Sequence, residues 1–336
     1  MTAEQQEFPK AVLYSWPSSV WSTVPRLCLY EKGYSEDEYI VKYVDITKGE
    51  NFSPSYLKIN MNGTVPTLIV PTLETIGAGV NTKYRSLRDT VSICDFLDQA
   101  RSSHTANTSS DKPAPTLAPA TIDGKALSDS VIELVHHPAV DPNFLSLSAV
   151  DSEDLERKSR SGPGKSLVDR RKALQNYLAE ARKAASETSV SPKNGSLILE
   201  QKIVQFLEEK LKSSEEVWQL YHGQSGEEKL KQFFDISIKT WTERLPEACA
   251  KLEEMIEEPY FLGDQISLAD LHVISWLARL VSIADGSLTK DGLNALEAKM
   301  GKPPGDKLRN FWKLWAERES FQKVLVPASS AFQEMK

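Results

Sequence analysis

Cysteine is scarce in this sequence, with only Cys28, Cys94 and Cys249 in 336 residues. They lie far apart, form no CxxC pair and leave an odd count. Neither a disulfide framework nor a zinc site is indicated, and a reducing, cytoplasmic home fits. A long apolar run is missing as well. The nearest approach, Leu268 to Ala284, is interrupted by Asp270, His272 and Arg279, and falls short of the ~20 largely uncharged residues that cross a bilayer. The opening MTAEQQEFPK has neither the cationic start nor the apolar core of a secretory signal, so no export is expected. Basic residues are outnumbered, 40 against 47, for a formal charge of -7. That excess repels a phosphate backbone, so nucleic acid is not an expected partner.

What remains is a chain of ordinary globular composition, 40% apolar and 26% charged, long enough for two domains. Ala11 to Trp16 reads as a buried strand and Val24 to Gly33 as a helix closed by glycine. Tyr39 to Ile46 is β-branched and aromatic, as a second strand should be, and Phe52 to Ile59 can form one or two helical turns. Thr67 to Val70 reads as a third strand. Thr72 to Tyr84, with Gly77 and Gly79, predicts a turn before a fourth, and Ser86 to Ala100 has helical spacing. This βαβ then ββα order is that of an α/β thioredoxin-like domain over residues 1–100.

Arg101 to Lys125 is dominated by Ser, Thr, Ala and Pro, which predicts a flexible linker over 101–125. From Ala126 strand signals vanish. Amphipathic patterns over 166–186, 196–222, 226–258, 267–283 and 306–326 predict an all-α helical bundle domain over 126–336. The polar stretch Asp141 to Lys165 reads as an insertion in it.

Two short motifs carry chemistry. In Asn62-Gly-Thr-Val-Pro66-Thr-Leu68 a proline precedes an apolar strand, and on local sequence both isomers are open. A trans bond would simply start the strand, whereas cis costs only about 0.5 to 1 kcal/mol at X-Pro. It would turn the Val65 amide and carbonyl outward to pair with an extended peptide. Asp89-Thr90 opens the third helix. The pair is either a cap or a grip for an α-amino-acid group, with Asp89 on the ammonium and Thr90 and the helix end on the carboxylate. Ser267 and Asp270 have the spacing of a capping box before an apolar helix. Cys28 and Cys94 fall on helical core faces.

Taken in order, Ser15 to Ser22, Glu31-Lys32-Gly33, Val65-Pro66-Thr67-Leu68, Asp89-Thr90, the Phe261 to Asp270 segment and Trp312 to Phe321 resemble the glutathione transferase superfamily. The likeness is to its soluble, serine-type, fungal-like members, here with an extended linker. It implies glutathione as co-substrate, no metal, a small apolar electrophile as second substrate and a homodimer. Counting back from Glu31-Lys32-Gly33 puts the thiol-activating position on Ser19, with Ser18 as the neighbouring register and Tyr14 as a further candidate. Glutathione would lie along Val65, Pro66, Asp89 and Thr90. Thr64 replaces a lysine common in the family. The resemblance puts the electrophile pocket near Trp21, His137 and Phe144, residues that also read as ordinary core aromatics and a histidine at a helix end. A non-catalytic glutathione-binding or ligand-binding regulatory protein of the same fold is the alternative the residues leave open.

Overall fold

The computed structural model describes residues 9–71, 84–105, 108–190 and 196–336. Four strands form one mixed sheet. β1 (Ala11–Ser15) leads through α1 (Val20–Glu31) to β2 (Tyr39–Tyr43), parallel to β1. The short α2 (Pro54–Leu57) precedes β3 (Thr67–Pro71), antiparallel to β1, and β4 (Tyr84–Leu87) pairs antiparallel with β3. The sheet order is β2-β1-β3-β4, with α3 (Thr90–Ala100) closing the unit. This is the thioredoxin-like arrangement expected. The predicted turn over 72–84 falls largely outside the described residues, and β4 occupies the first positions assigned to the third helix.

The rest is helical: α4 (Ile122–His136), α5 (Pro142–Leu147), α6 (Ser152–Ser159), α7 (Gly162–Val190), α8 (Ser196–Tyr221), α9 (Glu227–Lys239), α10 (Leu245–Met255), α11 (Leu268–Ile283), α12 (Leu293–Met300), α13 (Asp306–Ala316) and α14 (Val326–Gln333). Every residue of α11 is buried, because it is sheathed by α4 and other helices of its own domain and by α1 of the sheet domain. α7 and α8 form a long hairpin. Leu174, Leu178, Ile203 and Leu207 on it build a separate core with Phe52 and Leu57 around α2. The stretch read as an insertion is α5, α6 and the start of α7.

Arg101 to Lys125 departs from the expectation of a flexible linker. Arg101 is buried, with its Nε donating to the Lys32 carbonyl at 2.7 Å. Ser110 bonds the Gly33 carbonyl, and the Leu117 side chain enters the main core. The segment is a strap across the end of α1. It passes so close that a Cβ on Gly33, which sits at φ +68°, would lie 2.5 Å from the Pro113 carbonyl oxygen. Composition had suggested mobility because the strap buries little apolar area of its own. Buried polar groups supplied by α1 and α3 fasten it instead.

Candidate functional site

Tyr14 pairs with Thr67 across β1 and β3. The Val65-Pro66 peptide bond, which is cis, therefore lies beside Ser15 and Trp16, where β1 gives way to α1. Val65 packs in one small cluster with Tyr14 and Trp16. Three buried side chains hold this loop in place. Asn51 Nδ2 donates to the Gly63 carbonyl at 2.6 Å, Tyr56 Oη to the Thr64 carbonyl at 2.7 Å, and Asn60 Nδ2 to the same carbonyl at 3.0 Å. Burial pushes the Tyr56 phenol up to about 12, keeping it a proton donor. Sequence reasoning missed these three residues. Nothing in their local pattern marks them, apart from the Asn62-Gly63 turn that follows Asn60.

Ser19 caps α1, its Oγ accepting from the Ser22 amide at 3.4 Å. Its hydroxyl proton has no acceptor among the described residues. Ser18 differs, since its Oγ donates to Met335 Sδ at 3.2 Å. Of the two neighbouring serines, Ser19 is thus the one free to donate to a ligand. Both line a cavity of about 670 Å3 that runs between the loop after β2, α5, α6, α7 and α11. Tyr14 does not line it; its ring meets Tyr56 edge-on at 5.7 Å.

Asp89 caps α3, taking the Ser92 amide on Oδ1 at 2.8 Å, and is otherwise exposed, while Thr90 is buried beneath it. The carboxylate is near enough to His136 to favour that ring's protonated form. His136 in turn stacks on Trp21 with ring centroids 3.8 Å apart. Asp89 thus reaches the first turn of α1 through His136 and Trp21, whereas Val65, Pro66, Asp89 and Thr90 do not line the cavity that Ser19 lines.

The expected wall of Trp21, His137 and Phe144 does not assemble. Trp21 is covered by His136, which stands one turn after Ile132 on the inward face of α4. His137 lies past the helix end in extended backbone, exposed, with Nδ1 accepting from the Ala139 amide. Phe144 turns to Phe233, edge-on at 6.4 Å.

His136 Nε2 lies 2.8 Å from His272 Nδ1 on α11, so one ring must donate to the other. Burial pulls His136 down to about 4 and lowers His272 as well, each being costly to charge. Because the folded values lie below the unfolded one near 6.5, the pair contributes fully above pH 6.5. Stability is lost as pH falls from there toward 4, by about 3 kcal/mol for His136 alone. Thermal unfolding of His136→Phe, which keeps the stack on Trp21, should show a shallower loss over that window. An unaltered slope would remove the pair from the acid response.

The family model "Glutathione S-transferase, N-terminal domain" matches residues 13–107, and "Glutathione S-transferase, C-terminal domain" matches 211–298. Together they take in more than half of the chain, in the order the fold requires. The chain belongs to the glutathione transferase superfamily. A zeta-class glutathione S-transferase of Euphorbia esula is 43% identical over 68 residues, a match spanning 20% of this chain and 29% of that relative. Among solved structures, the β-etherase LigF of Sphingobium sp. strain SYK-6 superposes with a TM-score of 0.50 at 18% identity, over 94% of this chain and 98% of that one. Glutathione transferase Omega 3C of Trametes versicolor gives 0.47 at 16% identity, over 97% and 91%. For this superfamily member the cysteines offer no nucleophile. Burial pushes Cys249 up to about 12 and Cys94 well above its usual range. Among the described residues no cluster of His, Cys, Asp or Glu has metal-binding form, and no helix is long and apolar enough to cross a membrane.

Proposed function

We propose that the protein is a glutathione-dependent transferase in which the tripeptide extends along Val65 and Pro66 with its γ-glutamyl end at Asp89 and Thr90. Its thiol then sits at Ser19. The Ser19 hydroxyl donates to the sulfur and favours the thiolate, which attacks an electrophilic carbon in the adjoining cavity. A carbon–sulfur bond forms as the leaving group departs with its electron pair. The observation that carries this reading is the unsatisfied Ser19 hydroxyl on the rim of that cavity. Two features support the placement of the tripeptide. Val65 carries no hydrogen bond on its N–H or C=O among the described residues. Asp89 spends only Oδ1 on its cap, leaving Oδ2 for an ammonium group. The same reading makes the protein a cytoplasmic homodimer.

Ser19→Ala should raise the pKa of the bound thiol by about one unit, since one lost hydrogen bond is worth about 1.4 kcal/mol. Thiolate absorbance against pH in the glutathione complex reads this directly. Asp89→Asn keeps an efficient cap while removing the charge. It should weaken glutathione binding about tenfold, as expected for one charged hydrogen bond of about 1.5 to 3 kcal/mol. Unchanged titration in Ser19→Ala with a shift in Ser18→Ala would move the activating role one residue back. Glutathione binding without turnover of any electrophile would make the chain a ligand-binding member of the superfamily.

A further inference from the structure

The cavity beside Ser19 is charged against the character of the chain. Overall the protein carries -7, yet seven Lys and Arg against four Asp and Glu line this space. The deepest cation is Arg279, 7% exposed on α11. Its guanidinium lies over the Phe332 ring at 4.0 Å and makes one hydrogen bond, from Nη2 to the Ser18 carbonyl at 2.5 Å. The other donors of its five meet no protein acceptor among the described residues, and no carboxylate faces it. Burial alone pulls it down to about 9. Arg170 on α7 repeats the pattern, resting on Phe52 at 5.4 Å with no ion pair among the described residues and likewise lowered by burial. Lys158 is paired with Asp154, but it also feels the positive fields of Lys299 and Lys336. A buried charge without a partner is costly, so folds rarely keep one without a ligand to match it. A structural tie to the Ser18 carbonyl would need a single donor, not a planar fork suited to a carboxylate.

Building on the proposed transferase activity, we propose that the second substrate is an electrophile bearing a carboxylate rather than a wholly apolar one. Its acid group is held by Arg279 within the field of Lys158 and Lys299, and its reactive carbon is turned toward Ser19. The acid group fixes the orientation, and the aromatic face of Phe332 and the Ile283 side chain supply the apolar remainder.

The test uses 3,5-dinitrobenzoate and its neutral amide, which lack a leaving group and bind without reacting. Calorimetry on the full chain without glutathione should give the acid at least a tenfold advantage over the amide. Arg279→Met should abolish that advantage and leave glutathione affinity unchanged. Should that variant fail to fold, Lys299→Glu, at an exposed position, should reduce the advantage severalfold with the unfolding temperature retained. Equal affinity for acid and amide in the unaltered protein overturns the proposal. So does an advantage that survives both substitutions, or a matched loss of glutathione binding in Arg279→Met, which would assign the cation to the tripeptide. Turnover of 1-chloro-2,4-dinitrobenzene with glutathione is read separately. Its absence beside an intact preference for the acid would count against the transferase reading and leave the anion site standing.

Discussion

Asp98→Ala should destabilise the protein by about 3 to 5 kcal/mol, the range for removing one partner of a buried ion pair. Asp98 and Lys32 are 3% and 1% exposed and meet at 2.9 Å between the ends of α3 and α1. The pair also fastens the strap. Lys32 Nζ donates to the Pro115 carbonyl at 2.6 Å, and Asp98 accepts from the Leu117 and Ala118 amides at 2.8 and 3.1 Å. Without the carboxylate, the Lys32 ammonium stays buried with a single carbonyl, and two backbone N–H groups lose their acceptor. The Leu117 carbonyl, which takes the Leu268 amide at the head of α11 at 3.0 Å, would loosen with them. At roughly 1.4 °C per kcal/mol for a chain of 336 residues, the unfolding midpoint should drop by roughly 4 to 7 °C. Lys32→Met with Asp98→Leu should recover part of this, because no charge is left buried, though the strap amides remain unpaired. A drop below about 2 °C in Asp98→Ala would mean that water reaches the site and that the strap is held elsewhere.

Asp270→Ala is expected to cost a similar amount, about 3 to 5 kcal/mol, from two buried amides at about 1 to 3 kcal/mol each plus a hydroxyl. Asp270 Oδ1 accepts from the Phe261 amide at 3.0 Å, and Oδ2 accepts from the Ser267 amide at 2.6 Å and the Ser267 hydroxyl at 2.5 Å. This is the capping box read from the sequence, with Phe261 as an added partner. Burial pushes the Asp270 carboxyl up to about 6 against the bonds that favour its charge. A folded value above the unfolded one near 3.8 means that protonation between pH 6 and 4 favours the fold. That is opposite in sign to the histidine pair in the same window. Asp270→Ala should therefore lower the urea midpoint at pH 7 and make the remaining acid loss steeper. A midpoint at pH 7 equal to that of the unaltered protein would show that α11 is held by packing alone.

The sequence by itself determined the two-part architecture. Alternating and helical periodicities follow from which faces are buried, and those patterns switch once, after the strap. It also determined the Ser267–Asp270 cap, whose partners are three residues apart, and offered the cap at Asp89, which acts on an amide three residues on; the Ser19 cap was not read, because the first helix starts at Val20 rather than at the expected Val24. Whatever depends on residues far apart in the chain was decided only by the tertiary structure. Asp270, His272 and Arg279 show the division within one helix. All three interrupt the same apolar run, which is enough to exclude a membrane span but says nothing about what each one meets. Asp270 serves its own helix start and was legible. His272 meets a histidine 136 positions away and Arg279 a carbonyl 261 positions away, because α11 is enclosed on every side by elements from both domains. Asn51, Tyr56 and Asn60 meet carbonyls only 12, 8 and 4 positions away, but through an irregular loop that no helical or strand period encodes, and the end of α4 put His136 rather than His137 on Trp21. Local propensity fixes where a helix ends only to within a residue or two, and one residue there turns a side chain from the core to the solvent. The strap is the opposite case. Its composition is that of a free tether, and only the buried Lys32, Asp98 and Arg101, supplied from outside or at its very start, hold it to the fold.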